Sequence, residues 1–304
     1  MKARIATISQ SGSFCRSTQG NLDYILKILA AVSQHDPDLI CLPEAFTAKG
    51  VPAQTVAAVA ETVPGPTTDA LSKLARSKRA YIICPIYTKR EGRFWNSAII
   101  IDRTGSIAGI YDKAHPAISS ADDTIFENGV TPGGTPQPFD FDFGRIGIQI
   151  CLDASFTDDW RALVEQGAKA ILWPSAFDGG LTLQAHALLH HCYVVSAVRH
   201  GTARVINPCG RMTAETGPGD SFALADINLD FIVAQQEFNH SLPGKVLAEY
   251  PERVKVISYQ SEGLFLLETL DNQLTTSQLQ AEFGLESSAQ SITRHLKAYA
   301  KTQM

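Results

Sequence analysis

The apolar positions of this chain fall into short runs that alternate between a strand-like and a helix-like period. Residues 3–8 read as a first strand, and Asn21-Leu22-Asp23-Tyr24-Ile25-Leu26-Lys27-Ile28-Leu29 repeats apolar groups at helical spacing, with Asn21 placed to cap the helix. Asp36-Pro37-Asp38 breaks that helix and opens a second strand, Leu39-Ile40-Cys41-Leu42, which ends at Pro43-Glu44. A helix is predicted over Pro66–Arg79. The nearly all-apolar run Tyr81–Tyr87 predicts a strand covered on both faces. Trp95–Ile101 and Ile107–Tyr111 read as a hairpin joined by Asp102-Arg103-Thr104-Gly105-Ser106, and Pro116 closes the stretch Asp112-Lys113-Ala114-His115-Pro116.

Beyond a polar loop rich in Gly and Pro, Ser119–Pro138, Ile146, Ile148 and Ile150 alternate with Gly147 and Gln149 as a half-buried strand that ends on Cys151. A helix over 158–166 is stopped by Gly167, and a strand over Ala170–Trp173 is expected to end on Pro174. A helix at about 181–191, a strand over Tyr193–Val198 and short strands at 203–206 and 221–227 continue the alternation, the last two around the turn Asn207-Pro208-Cys209-Gly210. Alternating strands and helices with short connections define an α/β fold.

The C-terminal stretch reads differently. After a strand over Leu264–Glu268, residues 275–301 predict two short helices around Gly284, with Leu279, Phe283, Ile292, Leu296 and Tyr299 as apolar contacts. A helix-turn-helix reading for DNA is conceivable there. The mixed charge of the pair on an acidic chain favours packing or oligomerisation instead. The expected division is residues 1–257 for the main domain and 258–304 for a C-terminal extension.

Composition narrows the function. With 304 residues, 44% of them hydrophobic and 19% charged, the chain can bury a large core. A formal charge of -5 argues against a general nucleic-acid or anionic-membrane surface. No apolar run approaches transmembrane length, and the first residues turn polar at Ser9-Gln10-Ser11 before a signal core is complete. The six cysteines, at 15, 41, 84, 151, 192 and 209, are scattered without CxxC pairs. They indicate neither a zinc site nor a disulfide framework, and reduced cytoplasmic thiols are the expectation.

Glu44, Lys113 and Cys151 each follow an apolar strand. Taken alone, each has an ordinary reading: a solvated carboxylate, a solvated amine, a small hydrophobe finishing a strand. In an α/β sheet, however, strand ends converge on one rim, and acyl transfer through sulfur needs a nucleophile, a base and a fixed cation. A helix beginning a few residues past Cys151 is expected to favour its thiolate.

Three ordered segments then carry a resemblance: Leu42-Pro43-Glu44, Tyr111-Asp112-Lys113-Ala114-His115, and Gly144-Arg145-Ile146-Gly147-Ile148-Gln149-Ile150-Cys151-Leu152-Asp153. In order and spacing they are similar to the three motifs of the nitrilase (carbon–nitrogen hydrolase) superfamily, over roughly residues 3 to 257. Asn96-Ser97, Gly167-Ala168 and Asn207-Pro208-Cys209-Gly210 add to the match. The resemblance implies an α-β-β-α sandwich that forms a dimer or a larger homo-oligomer. It implies Glu44 as base, Cys151 as nucleophile, and Lys113 with the backbone N–H of Leu152 as oxyanion donors. Glu127 stands where the family carries a second glutamate. That chemistry requires neither a metal nor an organic cofactor; the expected partner is a small-molecule amide, with no nucleic acid and no membrane.

The chain also departs from the family pattern. Leu152-Asp153 replaces the Trp-Glu of nitrile-cleaving members, which favours the amidase and carbamoylase branches. His186, Leu189 and His190 replace the Arg, Glu and Asn of a usual helix motif; His186 and His190 share a helical face, read here as polar packing rather than a metal pair. The stretch Arg199–Val205 is short, as in the acyltransferase branch, whose membrane helices this chain lacks. His115, Trp173 and Phe177 are the expected pocket walls. No arginine adjoins Ser175-Ala176-Phe177-Asp178, so a neutral amide is expected ahead of N-carbamoyl amino acids and nitriles, unless Arg199 or Arg204 reaches in. The alternatives are an N-carbamoyl amidohydrolase, a nitrilase or acyl transferase using the same thioester, and a non-catalytic binding protein that kept the fold.

Overall fold

The computed structural model describes every residue except Met1, Ser13, Phe14, Gln54, Asn272, Gln303 and Met304. The first half of the chain builds β1 (Lys2–Ile8), α1 (Thr18–Val32), β2 (Leu39–Cys41), α2 (Pro66–Lys78), β3 (Tyr81–Arg90), β4 (Arg93–Ile101) and β5 (Ile107–Asp112). The second builds β6 (Phe139–Phe141), β7 (Gly144–Ile148), α3 (Thr157–Glu165), β8 (Ala170–Ser175), α4 (Gly180–His190), β9 (Tyr193–Val198), β10 (Arg204–Ile206), β11 (Met212–Glu215) and β12 (Phe222–Asn228). The remainder holds β13 (Phe231–Gln235), α5 (Gln236–Asn239), α6 (Leu242–Glu249), β14 (Val254–Tyr259), β15 (Leu264–Thr269), α7 (Thr276–Phe283) and α8 (Ser288–Thr302).

Two six-stranded sheets result, in the orders β12-β1-β2-β3-β4-β5 and β11-β10-β9-β8-β7-β6. Each has a parallel centre, β1/β2/β3 and β7/β8/β9, extended by antiparallel strands. The parallel steps need crossovers, and the helices α1 to α4 supply them. Leu22, Ile25 and Leu29 of α1 and Leu71 of α2 pack on Ile40, Ile82, Cys84 and Ile99 of the first sheet. Trp160 and Leu163 of α3 and Leu183 and Ala187 of α4 pack on Ile171, Trp173 and Val194 of the second. The inner faces meet, and the Thr7 hydroxyl donates across to the Ser196 carbonyl at 2.5 Å. The four layers are the predicted α-β-β-α sandwich. β3 explains its own pattern: Ile82, Cys84 and Ile86 face the helices while Tyr81 and Ile83 are buried on the opposite side.

Three local expectations are corrected. Ser17, not Asn21, caps α1, its side chain accepting from the Gly20 N–H. Asn21 lies inside the helix, buried, and donates to the carbonyls of Thr47 and Lys49 at 2.8 and 2.7 Å. Pro174 does not end its strand, which runs to Ser175. The Leu172 carbonyl accepts from Gln149, so Pro174, two residues on, also faces β7, whose pairing with β8 stops at Ile148↔Leu172; the missing N–H therefore forfeits no ladder bond. The boundary at 257/258 falls inside β14. The chain instead parts into compact units at Ile227/Asn228, with Lys2 in the second unit, because β15 pairs with both β13 and β14 and a cut at 257 would split that three-stranded sheet.

Within the second unit, the strands and helices bury a small core of Ile232, Val246, Phe265, Leu267 and Leu279. The two predicted helices are present as α7 and α8, with Thr275 capping the first and Gly284 ending it in a left-handed conformation. Their apolar residues divide: Leu279 is buried and Phe283 packs on the core, whereas Ile292, Leu296 and Tyr299 are exposed. No described helix is long and apolar enough to cross a membrane.

Candidate active site

Strand direction brings the predicted groups together. β3 runs parallel to β2, β4 reverses, and β5 reverses again, so the C-terminal ends of β2 and β5 share a rim. Glu44 follows β2 and Lys113 follows β5; both are buried. The Lys113 ammonium donates to Glu44 Oε1 at 2.9 Å and to Glu127 Oε1 at 2.5 Å. Asn96 Nδ2 bridges the same two carboxylates, at 2.8 Å to Glu44 Oε1 and 2.9 Å to Glu127 Oε2. The Lys113 backbone is fixed from both sides, its N–H donating to Asn96 and its carbonyl accepting from Gly133, both at 2.8 Å. Gly133 has to be glycine there, because a β-carbon would lie 2.2 Å from the Asp112 carbonyl oxygen.

Cys151 opens a single 3-10 turn after β7 with φ at +50°, a left-handed conformation that costs a β-carbon-bearing residue energy and is found where a side chain must be presented. Trp173 Nε1 donates to its carbonyl at 2.9 Å. Asp153, two residues on, is fully buried and acts as a clasp between the sheets. Its Oδ2 accepts from the Tyr111 hydroxyl at 2.7 Å and the Ile150 N–H at 2.8 Å, and its Oδ1 accepts from the His115 N–H at 2.9 Å. The carboxylate thereby ties the turn that carries Cys151 to the residues flanking Lys113.

The electrostatics follow from this burial. Desolvation works against the charge on Glu44, but Lys113 and Arg199 outweigh it and hold its pKa below the ordinary value. Desolvation likewise opposes the Lys113 charge, and the two carboxylates overcome it and keep the ammonium protonated. The Cys151 thiol is pushed up to about 11 by burial and by the Glu44 charge, against the opposing pull of Lys113, the Ala176 N–H and the Ser175 hydroxyl. The expected pull of the nearby helix toward the thiolate is thus set against burial and the Glu44 charge, which favour the protonated sulfur.

The predicted pocket walls fare unequally. Trp173 is fully buried and supports the Cys151 backbone, so it is no accessible wall. Phe177 is half exposed and meets Trp173 edge-on at 5.3 Å. His115 is spent on α3, its Nε2 2.7 Å from Asp159 Oδ2 and its ring stacked on Phe156 at 3.5 Å. Leu152, half buried, is the second residue of the turn, where backbone N–H groups have no partner earlier in the helix. Arg204 is engaged by Asp178 and, at 3.5 Å, by Glu215. Arg199 does reach the site, with its guanidinium 3.8 Å from Glu44 Oε2. His186 donates from Nε2 to the Ala154 carbonyl at 2.7 Å and stacks on Trp160. Among the described residues, no group of three or more His, Cys, Asp or Glu side chains is placed to hold a metal ion.

The four layers, with Glu44 and Lys113 on one strand-end rim and the Cys151 turn tied to it through Asp153, fit the carbon–nitrogen hydrolase class. The profile of that family, carbon-nitrogen hydrolase, matches residues 2–236, and the chain belongs to it. An omega-amidase of Xenopus laevis is 24% identical over 273 residues, covering 83% of this chain and 93% of the relative. A deaminated glutathione amidase of Bos taurus is 26% identical over 282 residues, covering 79% and 84%. An amidase from Nesterenkonia sp. shares the fold with a TM-score of 0.65 at 22% identity, covering 75% of this chain and 90% of that one.

Proposed function

We propose that the protein hydrolyses a small amide through a thioester on Cys151. Glu44 takes the thiol proton as sulfur attacks the carbonyl carbon. The oxyanion is met by the Lys113 ammonium and the Leu152 N–H, while Glu127 holds Lys113 in place. The protonated Glu44 returns its proton to the leaving nitrogen, ammonia or an amine departs, and Glu44 then takes a proton from the water that opens the thioester. The observation that carries this reading is the buried Lys113 held between two carboxylates beside a protonated thiol, an arrangement that needs a base and supplies one.

Leu152-Asp153 and the amide-cleaving names of the two relatives favour an amide over a nitrile. The test is ammonia release across matched amides, N-carbamoyl acids and nitriles, with mass spectrometry of the quenched protein. The expected result is amide turnover and an acyl mass on the peptide containing Cys151. Turnover without that adduct under trapping conditions, or a nitrile preferred by kcat/KM, would overturn the assignment.

A further inference from the structure

The charges at the site do not balance without a fourth group. Glu44 and Glu127 bring two negative charges to one positive charge on Lys113, in a place where Glu44 and Lys113 are 3% and 2% exposed. A net buried charge is expensive, and one carboxylate would ordinarily keep its proton. A pre-protonated Glu44 could not accept the proton of Cys151. Arg199 supplies the missing charge. Its backbone is held at the end of β9, its N–H donating to Ser175 and its carbonyl accepting from Lys49 Nζ, both at 2.9 Å. Its guanidinium lies 3.8 Å from Glu44 Oε2, beyond hydrogen-bond range, and its buried Nε has no hydrogen-bond partner.

The two oxygens of Glu44 are therefore unlike. Oε1 accepts from Lys113 and Asn96, whereas Oε2 is buried and accepts no hydrogen bond. We infer that Arg199 is a positioning residue acting through Glu44: its charge adds to that of Lys113 in offsetting the Glu44 carboxylate, and it leaves Oε2 open for the Cys151 proton. The balance survives the proton's movement, because transfer from sulfur to Glu44 relocates one negative charge without creating another. The other titratable groups that bear on Glu44 are Cys151, whose thiol its charge pushes up, and Tyr87, a buried phenol whose ionisation it opposes. Lys49 and His200 lie near Arg199, and burial together with the Arg199 charge lowers the pKa of each.

The inference rests on the amidase reading for its kinetic test but not for its thermodynamic one. The full chain is compared with Arg199→Met and Arg199→Lys. In Arg199→Met, the acid limb of kcat/KM against pH should move up by about one to three units, the range for losing an opposite charge at this distance, and Arg199→Lys should restore most of it. A lower rate with an unmoved limb, or an equal shift in Arg199→Met and Arg199→Lys, would overturn the role. So would a change confined to discrimination between carboxylate-bearing and neutral amides, which would make Arg199 a substrate anchor. The second readout is urea unfolding without substrate. Because Arg199 lowers the carboxyl pKa of Glu44, its stabilisation is present above the ordinary carboxylate range and is lost as pH falls through the lowered value. The gap between wild type and Arg199→Met should close on acidification, and a gap independent of pH would overturn the inference. Absence of amide turnover by the wild type would sink the functional reading alone and leave this measurement to decide on Arg199.

Discussion

Residues 3–227 and residues 228–302 treat charge in opposite ways. The first region buries Glu44, Lys49, Lys113 and Asp153 and surrounds them with partners. The second pairs its charges in the open, as in Arg253 with Asp271 and Arg294 with Glu286, where both partners reach solvent. Charges held in a low-dielectric interior act strongly on one another's protonation, whereas exposed pairs are screened and contribute little. The desolvated pair of Glu44 and Lys113 lies where the proposed chemistry is, while the second unit buries Glu268 against the exposed Lys255 at 3.8 Å and keeps its closer pairs in solvent.

The sharpest way to break this comparison is at the sulfur. Cys151→Ala is expected to abolish turnover with the fold retained, checked by ammonia release and circular dichroism. Next come Lys113→Ala and Glu44→Gln, each expected to lower kcat by about a hundred- to a thousand-fold, with the double variant little worse than either single one because the groups work as a unit. Lys113→Ala also strands the buried Glu44 carboxylate and the partly buried Glu127, a destabilisation of about 3–5 kcal/mol that denaturant titration measures. Simple multiplication of the two rate losses would mean that they serve different sites.

Asp153→Ala should follow, since it leaves the Tyr111 hydroxyl and the N–H groups of Ile150 and His115 without their acceptor. Each orphaned donor costs about 1–3 kcal/mol, and the rate should fall as the Cys151 turn loosens from Lys113. The smallest effect is expected in the second unit. Arg294→Ala removes an exposed pair with Glu286 and should leave both the thermal midpoint and the rate within error. A loss there comparable to that of Asp153→Ala would erase the distinction between the two regions.

The sequence made the proposed reacting groups legible because each stands at a strand end, where the apolar alternation stops and a polar residue becomes conspicuous. Strand direction could then be inferred, and with it the shared rim of Glu44 and Lys113. Asp153 and Arg199 were visible but their work was not. Asp153 reaches from the Cys151 turn to the residues flanking Lys113, and Arg199 reaches from the end of β9 to Glu44 just beyond β2, distances that no local pattern encodes. What holds the proton on Cys151 was hidden for a related reason, since it depends on burial and on the charge of Glu44. β13 and β14, of five and six residues, are too short to separate by periodicity from the helical stretches around them.

The left-handed backbone at Cys151 makes the proposed nucleophile a burden on the fold that carries it. Any residue with a β-carbon is strained there by about 1–2 kcal/mol, and glycine alone escapes. Inactivating the protein at this position should therefore raise its resistance to heat: Cys151→Gly should melt above Cys151→Ala, although glycine usually lowers melting temperature elsewhere in a chain. Selection for thermal robustness alone, with no demand for turnover, would be expected to discard this cysteine early.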